Sequence, residues 1–482
     1  MTSLLSPPIP VQAKERLDGL FDSWHLVEAA DGVVVGRGRI GGCEVLAFAT
    51  DAAIQGGALG QESCRAIAAV TDRAVVERLP VVGIWHSGGA RLREGVAGLH
   101  AVGLVFSAQV RASGQVPQLS VVLGPAAGGA AYGPALTDLV IVGPEGRVLV
   151  TGPDIVRKVT GQDVDAERLG GPVTHSKSGV VHLTTDSEAD ALQQTRVLVD
   201  LLSRQGDVDV RRTSGADPEA LVPGNHRLAY DVKPVVGAVL DPGTFVELQA
   251  GWAPNVVTGL GRLAGRTVGV VANNPIRMAG CLDAASGDKS GRFVQWCDAH
   301  GIPLVFLVDV PGYLPGVGQE DAAVVRRGAK LLHAYAACVV PRITVVLRKS
   351  FGGAFIAMGS KGLGADRVLA WPGAQVDVMG AVAAIEVLHR RELAAEQDPD
   401  RRADLVLRLT AAHEATTGGL GRAVAGGAVD AVIAPSQTRR HLVEALAAVP
   451  HRGRGAHRNP PLGAAWTRAV TGRASRTRAT PT

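Results

Sequence analysis

The sequence predicts an α/β protein built as two related halves. Three observations carry that expectation. Apolar strand-like runs alternate with helical stretches from about residue 33 to about residue 433. One device occurs twice, at residues 118–138 and 343–364: an apolar run, then Gly-Gly-Ala, then small residues suited to begin a helix. Each copy leads into a short strand run that contains an aspartate, at 137–142 and 365–371.

The elements follow in order. Residues 11–29 (VQAKERLDGLFDSWHLVEA) have helical spacing. Short strands are expected at 33–36 and 45–50. A helix is expected from about Gln61 to Arg78, with acid at its start and arginine at its end. Residues 81–85 read as a buried strand feeding Ser87-Gly88-Gly89-Ala90-Arg91. Alternation continues to about Leu202. Residues 203–233 are charged, carry Pro and Gly, and lack periodicity, which marks a linker. The α/β pattern resumes at Val235 and runs to about Ile433, with a solvated helix end and turn at 390–402. The expected division is a first domain at 1–215, a linker at 216–234, a second domain at 235–450 and a basic tail at 451–482. That tail carries seven arginines and no acid and reads as mobile.

At 482 residues and 46% hydrophobic, the chain can bury two cores. Aromatics make up only 4% and glycines number 61, so elements must pack closely through Ala, Val, Leu and Gly. A net charge of +4 from 49 basic and 45 acidic residues argues against nucleic acid as a partner. Cys43, Cys64, Cys281, Cys297 and Cys338 are odd in number and lack C-x-x-C spacing. Neither a disulfide framework nor a zinc site is supported, and a reducing cytoplasm is expected. The N-terminus lacks the features of a signal peptide, and no apolar run reaches the roughly 18 residues of a membrane span.

The two glycine turns are the candidate sites. A helix N-terminus presents backbone N–H groups that favour negative charge, and glycine leaves room for a ligand. Two such turns would serve two developing oxyanions. A glycine turn also permits tight packing, but a repeated one argues for function. No His/Asp or Ser/His set suggests nucleophilic catalysis. His175 and His182 read as structural, and Met358, Met379 and the tryptophans as core. Lys289 and Arg292 read as solvated residues at a helix start. Arg348 and Lys349 suit anion binding and pairing with acids equally.

In the second half, residues 271–275 (VANNP), 279–283 (AGCLD), 288–293 (DKSGRF), 309–316 (DVPGYLPG), 328–332 (GAKLL), 348–355 (RKSFGGAF) and 370–373 (AWPG) occur in order. The first half adds 87–91 (SGGAR), 94–96 (EGV), 124–138 (GPAAGGAAYGPALTD), 151–154 (TGPD), and 169–171 (LGG) with Thr174-His175. Together, over roughly residues 12–440, they resemble the carboxyltransferase (β) subunit of biotin-dependent acyl-CoA carboxylases of the acetyl-/propionyl-CoA type.

That resemblance implies two crotonase-like domains in tandem, each a spiral of ββα units. It implies transfer of a carboxyl group from carboxybiotin to the α-carbon of a short- or medium-chain acyl-CoA. Products would be of the malonyl-CoA or methylmalonyl-CoA type. Biotin would ride on a partner, the biotin carboxylase/biotin carrier (α) subunit. No metal is implied, and the chain would form a homo-oligomer, a hexamer. The implied oxyanion donors are the N–H groups of Gly128 and Gly129 for the thioester and of Gly353 and Ala354 for the biotin ureido oxygen. Ile356 matches a position that lines the acyl end of the pocket, where several members have Asp. His86 stands where the family usually has Asp and reads as a substitution tolerated in a buried turn. Residues 413–419 (HEATTGG) and 426–430 (GGAVD) depart from the family's Asn-Pro-Tyr and Gly-Tyr-Val-Asp patterns. Two alternatives stay open at this point: the carboxyltransferase subunit of a biotin-dependent acyl-CoA decarboxylase, and a non-catalytic scaffold subunit.

Overall fold

The computed structural model describes residues 10–416, 418–450 and 452–456. It contains two eight-stranded mixed sheets of the same design. The first comprises β1 Ser23–Ala30, β2 Val33–Ile40, β3 Cys43–Thr50, β4 Val81–Ser87, β5 Gln118–Ala127, β6 Leu139–Val142, β7 Arg147–Leu149 and β8 Leu183–Thr184. The second comprises β9 Val246–Leu248, β10 Val256–Leu263, β11 Arg266–Asn273, β12 Leu304–Val310, β13 Arg342–Phe351, β14 Arg367–Ala370, β15 Gln375–Asp377 and β16 Ala431–Val432. Strand orders are β1-β2-β3-β4-β5-β6-β8 and β9-β10-β11-β12-β13-β14-β16, with β7 on β5 and β15 on β13.

In each sheet the first three strands are antiparallel and the rest parallel. Parallel strands need crossovers, and here helices supply them. The central strands are buried on both faces, so they read as continuous apolar runs rather than alternations; every residue of β12 is buried. The register slips once between β4 and β5, at Trp85/Ser87, and once between β12 and β13, at Val308/Val310.

One apolar cluster spans both halves, joining Leu198 and Leu202 to Leu248, Val256 and Leu260. Beside it, the Arg262 guanidinium meets Asp200 at 2.8 Å, and the Thr267 hydroxyl donates to the Leu201 carbonyl at 2.9 Å.

Two expectations are corrected. The helix expected over 11–29 stops at Leu20; Phe21 is extended and β1 follows. Pairing with β2 decides this, because the aromatic and branched residues Trp24 and Val27 suit a pleated edge. Residues 452–456 of the tail lie against the body, with Arg452 on Asp366 at 2.6 Å and the Gly455 amide on the Asp298 carbonyl at 2.9 Å. The rest of the tail, Trp466 included, lies outside the described residues, as do residues 1–9.

Candidate active site

The first glycine turn leaves the end of β5. Gly128 has φ 57° and ψ −122°, a conformation that a residue with a β-carbon resists, and it turns the chain into the helix Gly129–Ala135. In the second half β13 ends at Phe351, Gly352 has φ 60°, and the helix Gly352–Ala357 follows. Ala127 pairs with Leu149 and Phe351 with Asp377, which aligns the turns residue by residue. Gly128 matches Gly352, Gly129 matches Gly353, and Ala130 matches Ala354.

This alignment changes one expected donor. The Gly128 N–H is already given to the Leu149 carbonyl at 2.9 Å. The amides of Gly129, Ala130, Gly353 and Ala354 make no hydrogen bond to a described residue. Each half therefore offers two successive free N–H groups at a helix start, where the peptide dipoles add positive potential.

A further strand-end loop borders each turn. Gln55, Gly56 and Gly57 have φ of 52°, 65° and 71°; Met278, Ala279 and Gly280 have 48°, 53° and 80°. Leu59 then bridges to Ala90, and Leu282 to Tyr313. Only the glycines of these left-handed triplets carry a turn signal in the sequence, because Gln, Met and Ala are not turn formers. Tyr313 belongs to the 309–316 motif (DVPGYLPG). A β-carbon on Gly353 would lie 3.8 Å from its ring, so this half-buried phenol walls the second turn where the first has only Ala90. Burial raises the Tyr313 pKa, so the phenol keeps its proton.

Ile356 is 46% exposed on the helix that begins at the second turn. Val378 and Met379 follow β15 beside that turn and are also exposed, so Met379 is not core; Met358 is. A cleft of about 200 Å³ adjoins the turn, lined by Phe351, Gln375, Asp377, Glu414 and Leu420 among others. His413, from the segment that departs from the family pattern, meets Asp377 there at 3.2 Å.

Several charged residues have structural partners. Lys289, expected to be solvated, is fully buried, and its ammonium donates to the carbonyls of Gln249, Trp252, Ala253 and Val256. Arg292 is largely buried as well, and burial lowers its pKa. Arg91 is held by the Asp31 carboxylate and by the carbonyls of Asp31 and Ala58. Arg348 pairs with Asp309 at 2.7 Å, and Lys349 donates to the His226 carbonyl at 2.6 Å. His182 accepts from the Val140 amide at 3.1 Å, and burial holds its pKa well below the usual imidazole value. His175 is bound to the Val148 carbonyl at 2.7 Å. His86 is half-buried; burial first, then the Arg16 guanidinium 3.5 Å away, lowers its pKa.

Among the described residues no group of three or more His, Cys, Asp or Glu is placed to hold a metal ion, and no helix is long and apolar enough to cross a membrane. The arrangement offers backbone electrostatics in two matched places, which suits stabilising charge on an oxygen.

Comparisons with known proteins agree with that geometry. The carboxyl transferase domain family matches residues 21–459. The chain is 55% identical over 455 residues to the biotin-dependent acetyl-/propionyl-coenzyme A carboxylase beta6 subunit of Mycobacterium tuberculosis, covering 93% of this chain and 96% of that one. It is 53% identical to the propionyl-CoA carboxylase beta chain of Rhodococcus erythropolis, with the same coverage. A crystal structure of transcarboxylase 12S, with methylmalonyl-coenzyme A and methylmalonic acid bound, superposes with a TM-score of 0.86 at 38% identity, covering 93% of this chain and 91% of that one. The fold is thus two crotonase-like domains in tandem, and the chain belongs to the carboxyl transferase domain family, among the β subunits of biotin-dependent acyl-CoA carboxylases.

Proposed function

We propose that this enzyme moves a carboxyl group from carboxybiotin, carried on a separate biotin carboxylase/biotin carrier subunit, to the α-carbon of a short- or medium-chain acyl-CoA. The observation that supports this most is the pair of matched turns, each with two adjacent amides that no described residue engages. When bound, carboxybiotin supplies the carboxyl carbon by breaking its N–C bond and offers the freed nitrogen as acceptor for the α-proton.

In this reading the Gly353 and Ala354 amides meet the charge that grows on the ureido oxygen. Gly129 and Ala130 meet the charge on the thioester oxygen as the α-carbon loses its proton. That carbon then forms the new C–C bond to the carboxyl carbon, so atoms and charge balance without a side-chain base. Gly128 and Gly352 supply the left-handed bend that aims the amides. Donors set before reaction need no reorganisation, which makes such a site effective. Ile356 supplies apolar surface at the acyl end.

The reading divides the chain into domains at 1–215 and 235–450 joined by 216–234, and it places the enzyme in the cytoplasm, which five free cysteines favour. It also makes the enzyme a homo-hexamer. Transcarboxylase 12S assembles as a hexamer. Exposed apolar residues near both turns support the same for this chain: Leu92 and Val96 in the first half, Val317 and Val325 in the second.

The test is carboxylation of free biotin driven by malonyl-CoA and methylmalonyl-CoA, followed by release of the acyl-CoA. Transfer to biotin is expected. A folded oligomer that transfers nothing from either donor overturns the reading.

A further inference from the structure

Arg348 and Lys349 lie near the end of β13, four and three residues ahead of Gly352. Arg348 is only 4% exposed. Its Nε donates to Asp309 Oδ2 at 2.7 Å, and its Nη1 donates to the carbonyls of Pro223, Asn225 and Leu228 at 3.2, 3.2 and 3.0 Å. The guanidinium carbon lies 4.7 Å over the Tyr230 ring. Lys349 Nζ donates to the His226 carbonyl at 2.6 Å, and its amide donates to Asp309 Oδ1 at 3.2 Å. Four carbonyls of the chain crossing between the halves are therefore held by two consecutive residues of the strand that ends in the second turn.

The first half has no such device. Strand registers place Gly124 and Pro125 where the second half has Arg348 and Lys349, and His86 where it has Asp309. The anchoring belongs to one turn only, so general support of a glycine turn does not account for it.

We propose that Arg348 and Lys349 are positioning residues that make the crossing segment, residues 223–228, a fixed support of the second glycine turn. They set the aim of the Gly353 and Ala354 amides on a cyclic urea ligand. The inference rests on the proposed function for the identity of that ligand. A planar guanidinium suits the task, because one rigid fork engages a carboxylate and several carbonyls together. Small errors in aim matter, since a displacement of about 1 Å in such a site can cost about 10²-fold in rate.

The variants are Lys349→Met, Arg348→Lys and Arg348→Met in the full chain, assayed with free biotin and methylmalonyl-CoA. The expected result is a rise of about tenfold in KM for biotin, with KM for methylmalonyl-CoA unchanged within about twofold. Hydrogen exchange at amides 223–228 should quicken in the same variants. Arg348→Lys should recover only part of the loss, since it keeps the charge opposite Asp309 but not the fork. Equal losses toward both substrates with a lower Tm would reduce the pair to general structural residues and overturn the proposal, as would unchanged kinetics. If Arg348→Met does not fold, Lys349→Met decides, because that side chain is only half-buried. A wild-type protein inactive with biotin overturns the functional reading itself; an active wild type with evenly weakened variants overturns only the anchor.

Discussion

The imidazole of His86 lies so close over Gly124 that a β-carbon there would sit 2.5 Å from the ring. In the second half the same two positions hold Asp309 and Arg348, bonded at 2.7 Å. One half fills the gap at its strand slip with a ring over glycine, the other with an ion pair. His86 is therefore matched to its glycine, and its Nδ1 lies 3.5 Å from Arg16, which pairs with Glu188 at 2.9 Å.

Gly124→Ala forces the ring to move and should cost about 1–3 kcal/mol, the usual range for overpacking a tight site. Urea midpoints measure it. Combined with His86→Ala, most of the loss should vanish, because the two positions share one contact. Additive losses would show that the ring is not what excludes a β-carbon.

The lowered pKa of His86 predicts a pH effect. Unfolded histidine titrates near about 6.5, and the folded residue takes its proton only at lower pH. The unfolded chain therefore binds more protons as pH falls through that value. The contribution is fully present above about 6.5 and fades toward the folded pKa. Glu188 and Asp51 oppose the shift but do not cancel it. Comparing stability at pH 7.5 and 5.5, His86→Asn should lose less than wild type. Some slope should persist, because buried His182 shifts in the same direction.

Gly353→Val places a branched side chain over the two free amides and toward Tyr313, which stands 3.8 Å from the new β-carbon. Activity should fall at least as far as loss of one oxyanion donor, about 10²–10³-fold, with melting unchanged. Gly129→Val should lose activity too, but its β-carbon meets Val102 at 2.9 Å, so some stability goes with it. Near wild-type rates in both would make the turns packing devices.

Ile356→Asp puts a carboxylate on the exposed face beside the second turn. Charge there should shift selection among acetyl-, propionyl- and longer acyl-CoAs. The readout is the ratio of kcat/KM across that panel, and a constant ratio removes Ile356 from the pocket.

Light scattering should find a hexamer and no active monomer. Leu92→Glu or Val325→Glu, each at a residue at least 74% exposed, should weaken assembly without unfolding the subunit. An active monomer would end that reading.

Much of this protein was legible in its residues. Local composition located both glycine turns, the strands that feed them and the helix after Gln61, because apolar runs and Gly-Gly-Ala steps record backbone requirements directly. Motif order pointed to the family. What local reading misplaced is also specific. Trp24 became strand because β2 was there to pair with it, opposite Gly38, and Val27 sits at the bulge between the paired Leu26 and Glu28. The Gly128 N–H goes to the Leu149 carbonyl, a contact between segments distant in sequence.

The sequence by itself determined the periodicities, the paired turns and the absence of any signal for a nucleophile. Tertiary structure alone decided which amides remain free, which side chain walls the second turn, and where the charges go. Lys289 looks like a solvated residue along the chain, and Arg348 and Lys349 like anion binders or partners of acids, yet each spends donors on carbonyls that folding would otherwise leave unsatisfied. A charged side chain carries no mark of its partner; only the packing of distant segments brings those carbonyls within hydrogen-bond reach.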